Sequence, residues 1–304
     1  MSIKVELGNK IRKLREEQSL SRGELCEGEE ELTVRQLARI EAGESLPTLL
    51  KLEFIADRLS VSVSLLVDRK YVELPKRYLQ LKHKLYKSYT YNDDERILKK
   101  EQYFAEIYEE YYAILPEEEQ LSIDVQQATM DVHLAERADF GEGLLQDYLS
   151  QIIRKTDYSA NDLLVINLYF HCIYYKEYDE KVFIDLFNNV VKQVNTMIDF
   201  ELFLLINLMM SAVGVFIKSN TYEKLLDAVK VCTIVMEINQ DYQKKPVIDM
   251  VEGKYWLFSQ RDIEKSRQKY IDGAQCAKLF GDQVLSEKIL AEWVQDLQEF
   301  QRCQ

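Results

Sequence analysis

Residues 33–41, Thr-Val-Arg-Gln-Leu-Ala-Arg-Ile-Glu, decide how the first part of the chain is read. Thr33 suits a helix N-cap, because its hydroxyl can accept a backbone N–H of the first turn. Val34, Leu37 and Ile40 recur at three-residue steps and predict one buried face. Arg35 and Arg39 are four apart, so they share another face. An arginine there can donate two parallel hydrogen bonds to guanine O6 and N7 in a DNA major groove. The same nine residues also describe a surface helix with two solvated arginines, so the neighbours must decide.

The neighbours spell a unit of five short helices. Residues 5–18 carry Val5, Ile11 and Leu14 beside Lys10, Arg12, Lys13 and Arg15, an amphipathic helix. Ser21 with Glu24 three residues on is a capping-box pair opening a second helix. A longer turn at Glu27–Glu31 leads to the Thr33 helix, which Gly43 ends. Pro47 and Thr48 open a fourth helix with Leu49, Leu52, Ile55, Ala56 and Leu59 inside, and Ser62 caps a fifth. Ser21, Arg22, Thr33 and Lys51 stand near helix N-termini, where backbone N–H groups face phosphates. Each is a phosphate contact or an ordinary cap or solvated base.

The 304 residues are 47% hydrophobic and 30% charged, with four prolines and ten glycines. So little turn punctuation predicts an all-α chain, and the length suggests about two domains. The net charge of −13 disfavours nucleic acid overall, but it is uneven. Residues 1–70 hold 12 basic and 13 acidic side chains, whereas the rest holds 27 and 39. DNA binding needs local rather than global positive charge. The five cysteines have no metal or redox spacing and read as free thiols. No phosphate loop, metal cluster or nucleophile–base pattern is present, and the three histidines are isolated, which argues against an enzyme and against any cofactor. The longest apolar run, Leu202–Ile217, contains Asn207 and falls short of the roughly 20 residues that span a bilayer. It reads as a buried helix of a soluble, cytoplasmic protein with no membrane partner.

Residues 71–96 form a basic, tyrosine-rich connector, with a helix from Pro75 to Tyr86 and a loop at Ser88–Asp94. From 97 the chain is a train of helices: 97–115, 117–138, 140–155, 160–176, 179–196, 199–218, 221–237, 242–258, 261–279 and 283–301. Leu164-Val165-Ile166-Asn167-Leu168 returns forty residues later as Leu204-Leu205-Ile206-Asn207-Leu208. A period near 40 in paired helices marks a helical repeat array with a concave groove. Lys254–Phe280, with Tyr255, Tyr270, Ala274 and Ala277, has the aromatic and small-residue pattern of a tetratricopeptide pair. The domains expected are a helix-turn-helix unit at 1–70, the connector, a TPR-like α-solenoid at 97–282 and a capping helix at 283–304. In that last helix Ile289, Leu290, Trp293 and Leu297 face the array, with Glu292, Asp296 and Glu299 opposite.

Asn167 and Asn207 interrupt strongly apolar helices. A buried amide without a partner costs about 1–3 kcal/mol. Each therefore meets a neighbouring helix terminus or buried water, or the pair clasps the backbone of an extended peptide, to which Asn offers both donor and acceptor. Asn239 is a weaker third.

Leu7-Gly8…Ile11-Arg12…Leu14-Arg15, Ser21…Glu24-Leu25, Arg39-Ile40-Glu41-Ala42-Gly43 and Pro47-Thr48…Ile55-Ala56 resemble the phage-repressor type of helix-turn-helix domain over residues 3–68. That resemblance implies that the third helix enters the major groove, with Arg35 and Arg39 reading bases and Gln36 a lesser reader. Such a domain before a repeat array resembles the RRNPP group of peptide-responsive regulators. Glu31-Leu32-Thr33-Val34-Arg35-Gln36-Leu37, Gly43-Glu44-Ser45-Leu46-Pro47, Ile114-Leu115-Pro116-Glu117-Glu118-Glu119 and Asn161-Asp162-Leu163-Leu164-Val165-Ile166 resemble its ComR-type competence regulators. The resemblance implies a quorum-sensing transcription activator that senses a short hydrophobic peptide pheromone with a double-tryptophan motif. It would bind promoter DNA as a homodimer on an inverted repeat. It points to Thr90, Lys100, Asn167, Phe170, His171, Asn207 and Ser211 for the groove, with Lys100 meeting the peptide's terminal carboxylate. His171 stands where similar proteins carry an apolar aromatic.

Two more readings follow from the charges. Glu117 and Glu118, in the acidic run that opens a helix, either hold Arg35 and Arg39 when DNA is absent or simply suit a helix first turn. The array alternatively binds a protein partner, in which case the chain would bind DNA without peptide.

Overall fold

The structure, a computed structural model, describes residues 3–27, 32–66 and 74–302. Among these residues all regular structure is helical. The chain divides into two compact units, Met1–Ser88 and Tyr89–Gln304.

In the first unit α1 (Ile3–Glu17), α2 (Arg22–Leu25), α3 (Val34–Glu41), α4 (Leu49–Arg58) and α5 (Val63–Leu66) precede α6 (Lys76–Lys87). The expected caps form. Ser21 and Glu24 make a reciprocal capping box, as do Thr33 and Gln36. Gly43 takes φ +73° just past α3, and a Cβ there would also lie 2.8 Å from the Val5 Cα. Gly8 lets α1 cross α3 closely, since a Cβ would stand 2.2 Å from the Ile40 carbonyl oxygen. Leu7, Ile11, Leu25, Leu37, Ile40 and Ile55 fill one core. Most of the turn expected at Glu27–Glu31 lies outside the described residues.

One expectation for α3 fails. Val34 is 48% exposed. Residues three apart drift backward by about 60° per step on a 3.6-residue turn, so three of them cannot all face one way. Leu32, fully buried just before the cap, takes the inner position instead. It shares the core with Leu37, the arrangement of a hydrophobic staple.

The second unit runs α7 (Asp94–Glu110), α8 (Glu117–Ala135), α9 (Asp139–Ile152), α10 (Ala160–Tyr174), α11 (Glu180–Lys192), α12 (Asp199–Lys218), α13 (Leu225–Asn239), α14 (Lys245–Lys254), α15 (Ile263–Leu279) and α16 (Gln283–Arg302). α7 begins before residue 97 because the Asp93 side chain accepts the Arg96 N–H and caps it there. α9 packs on α8 and α10, the helices from α12 to α16 pack each on the next, and α8–α10 and α10–α12 also pack on each other. Helices α8, α10 and α12 thus stack side by side as one layer, the repeat geometry that the forty-residue echo predicts. Phe183 and Phe187 of α11 reach this layer, with Phe183 edge-on to Phe170 and Phe187 edge-on to Phe216. Phe200–Lys218 is long and apolar enough to cross a bilayer, a longer segment than the sequence count gave, and just over half of it is buried in the array.

α14 ends in a single π turn, Tyr255–Ser259. Gly253 lies against the Tyr270 ring and lets α15 close on α14. The apolar stripe of α16 is Leu285, Ile289 and Phe300, with Trp293 half-buried. Leu290 is instead 44% exposed, and Asp296 is buried. Asp296 faces inward because Lys254 of α14 meets it at 2.5 Å and the Tyr270 hydroxyl donates to it. Glu292 holds the same ammonium at 2.6 Å.

Candidate DNA-reading helix and repeat groove

The outer face of α3 carries Arg35 and Arg39, both exposed. Arg35 has no partner among the described residues. Arg39 Nε donates to Glu44 Oε2 at 3.3 Å, with both side chains more than half exposed. Such an open ion pair is worth well under 1 kcal/mol and yields readily to a stronger anion. Gln36 Oε1 accepts the Thr33 N–H at 3.0 Å, so half of its amide is committed to the cap. Thr33 and Ser21 likewise use their hydroxyls as caps. Lys51 is half-buried in the first turn of α4, where Thr48 accepts its N–H.

Behind this face lies an ion triad. The Glu41 carboxylate is fully buried and accepts from Arg15 Nε at 2.6 Å and Arg22 Nε at 2.8 Å. Burial drives the Glu41 carboxyl up, but the hydrogen bonds and charges of both guanidiniums outweigh it and hold the group below the usual carboxylate range. Arg22, expected at a phosphate, therefore spends Nε inside the unit, while its side chain stays 40% exposed.

In the second unit Asn167 is the one partly open position in the otherwise buried run 163–170 of α10. Asn207 is the one partly open position in 204–209 of α12. The echo thus places both amides where the layer opens rather than inside the core. Ser211 joins them: its Oγ lies 2.7 Å from Asn167 Oδ1 and 3.1 Å from the Asn207 carbonyl, so its single proton serves one of the two. Among the described residues Asn167 Nδ2 and the Asn207 amide have no partner, which leaves a donor and a donor–acceptor pair for a ligand.

His171, one turn beyond Asn167, donates Nδ1–H to the Asn167 carbonyl at 3.0 Å. Burial presses it down to about 4, against which that hydrogen bond is a smaller opposing effect, so it is neutral at physiological pH. His133 of α8 stands edge-on to it at 6.3 Å and donates to Asn92 Oδ1 at 2.7 Å. Lys100 of α7 is brought down to about 8 by burial. Its charge acts on both imidazoles, which belong to α8 and α10. Thr90 lies half-buried on the loop before α7.

Two residues expected in the groove do not join this set. Phe170 is fully buried against Phe183, a core aromatic rather than a groove wall. Asn239 is the last residue of α13, where an amide is unremarkable. Glu118 is exposed and its carbonyl accepts from Asn161 at 3.0 Å, while the Glu117 side chain lies outside the described residues. Sequence reading missed Lys244, which burial depresses to about 7. Its neighbour Lys245 looks identical in sequence but pairs with Asp249.

Comparisons with known proteins match both units of the chain. The ComR tetratricopeptide family model matches residues 75–293, and a helix-turn-helix model matches residues 11–66. The crystal structure of ComR from S. thermophilus, in complex with DNA and its signalling peptide ComS, is 34% identical with a TM-score of 0.69, covering 95% of this chain and 99% of that one. ComR from Streptococcus vestibularis, in complex with its cognate signalling peptide XIP, is 35% identical with a TM-score of 0.70, covering 97% and 99%. PlcR from Bacillus thuringiensis, solved with a peptide and DNA, is 17% identical with a TM-score of 0.52, covering 94% and 99%, and shares the fold. No curated protein sequence matches the chain.

Proposed function

This chain belongs to the ComR family, a group of helix-turn-helix regulators with a tetratricopeptide domain, and from that premise we propose that it is a peptide-gated transcription activator of competence. A short hydrophobic pheromone, with a double-tryptophan motif as the family resemblance implies, lies in the repeat groove. Its main chain meets Asn167, Asn207 and Ser211, and its indoles bury large apolar area on the walls. Peptide binding favours a state in which Arg35 and Arg39 read an inverted-repeat promoter as a dimer, in the cytoplasm.

The observation that carries this reading is the polar rung Asn167–Ser211–Asn207 on two adjacent helices whose neighbouring residues are sealed. Apolar side chains at those positions would be more stable if nothing had to be bound. The relatives solved with ComS and with XIP support the ligand class. Peptide titration by tryptophan fluorescence tests it. Asn167→Leu with Asn207→Leu abolishes binding in a folded protein, whereas Arg35→Ala leaves it unchanged. Undiminished binding by the double variant contradicts the groove assignment.

For the unliganded state we infer a latch in which Glu117 and Glu118 occupy the two arginines as phosphate does. Glu117→Gln with Glu118→Gln then gives DNA binding without peptide, and fully peptide-dependent binding by that variant removes the latch.

A further inference from the structure

Lys244 sits in the turn between α13 and α14 and points inward, 9% exposed. Its ammonium lies 3.4 Å from the centre of the Tyr89 ring and 5.3 Å from that of Tyr91. Among the described residues no carboxylate pairs with it. A buried lysine without a counter-charge is costly to keep, and cation–π contact returns only about 0.5–2 kcal/mol. The other groups acting on it do not help. Lys100 of α7 is a second ammonium that repels it, and the Cys232 thiol of α13 is raised by burial to about 12 and stays neutral. Tyr89 and Tyr91 are both raised by burial and stay un-ionised, and Asp241, on the same turn, acts on Tyr89.

Two desolvated ammonium groups, Lys100 on α7 and Lys244 in the turn before α14, are therefore close enough to repel each other, and an anion shared by them would satisfy both. The loop that carries the two tyrosines is itself strained. Tyr91 and Asn92 take φ +47° and +55°, in the left-handed region. It is held by Lys288 on the Tyr91 and Asn92 carbonyls, by His133 on Asn92, and by Arg96, which reaches from under Tyr91 to Asp282 at 2.8–3.0 Å. Strain of this kind persists where surrounding structure enforces it, often at ligand clamps.

We propose that Lys244 is a ligand-contacting residue of the repeat groove, which together with Lys100 takes a carboxylate of the bound peptide between two ammonium groups. The tyrosine faces hold the empty lysine in place, and the carboxylate replaces them as its counter-charge. The inference rests on the peptide reading of the groove. It adds a second cation to Lys100 and a proton to the binding step. Because Lys244 is partly neutral near pH 7 and charged when paired, it takes up a proton on binding, and affinity falls as pH rises. His171, pressed down to about 4, is neutral across that range and does not contribute, whereas Lys100, brought down to about 8, titrates within it in wild type and variant alike.

The test uses the full chain and peptide XIP of the S. vestibularis relative, made as the free acid, as the C-terminal amide and with any acidic side chain amidated. The free acid binds wild type about tenfold tighter than the form that lacks the responsible carboxylate. Which modified form is weakened tells whether the terminus or a side chain is the source. Lys244→Met narrows that gap to what Lys100 alone supplies, and Lys244→Arg keeps it in full. In wild type the free-acid affinity drops about five-fold between pH 6.5 and 8.5, and the drop is smaller in Lys244→Arg. Equal binding of all forms by wild type overturns the proposal while leaving the groove intact, and so does an unchanged gap in Lys244→Met. Binding of none of them overturns the peptide reading itself, and this proposal with it. The wild-type comparison needs no variant to fold.

Discussion

Two regions bury positive charge, and they do so in opposite ways. Under α3, Arg15 and Arg22 converge on the buried Glu41 carboxylate. In the second unit, Lys100 and Lys244 lose water without gaining an acid. The first charge set is complete as it stands and holds α1, α2 and α3 in register. The second is incomplete, and completing it requires something from outside the fold. Paired burial marks a scaffold, and unpaired burial marks a binding site.

The comparison can be broken most severely at Glu41. Glu41→Ala leaves Arg15 buried without its partner, and the first unit loses about 3–5 kcal/mol in denaturant melts. A loss under 1 kcal/mol would show that the triad is not what fixes the unit. Next is Arg35→Ala, which costs about 1–3 kcal/mol of operator binding and relaxes specificity at one base pair, measured across a substituted operator set. Thr33→Ala removes the α3 cap and destabilises by about 1 kcal/mol without altering peptide binding.

Acid and base sharpen the contrast further. The Glu41 carboxyl is held below its unfolded value, so its contribution is present above the unfolded value and is lost as pH falls through the folded one. Lys244 is depressed to about 7, so below pH 7 its charged form burdens the folded state in full. That burden shrinks as pH rises from 7 toward the ordinary lysine value. Lys244→Met therefore raises the melting temperature of the free protein more at pH 6 than at pH 9. The reverse order would mean that Lys244 has a counter-charge after all.

What was legible in the sequence follows from the range of the forces involved. Thr33, Ser21 and Gly43 act on backbone groups within a few residues, so their caps could be read directly. The array was legible because a forty-residue echo put Asn167 on α10 and Asn207 on α12, the two helices that pack together. Val34, Leu290 and Asp296 were misplaced, because periodicity gives a stripe but not its edges. Asp296 turns inward only because Lys254 and Tyr270 come to it from other helices. Phe170 shares a helix with Asn167 but points into aromatic packing that only the fold defines. Lys244 was illegible for the same reason: its surroundings come from Tyr89 and Tyr91, far away in the chain, while Lys245 beside it is an ordinary ion-paired surface lysine.

The most direct test of the whole account is an operator titration of the full chain, with and without a double-tryptophan signalling peptide, with mass followed by light scattering. Peptide gating gives weak binding by the free protein, and tight dimeric binding to an inverted repeat once peptide is added. Equal operator affinity and equal mass in both conditions would contradict it.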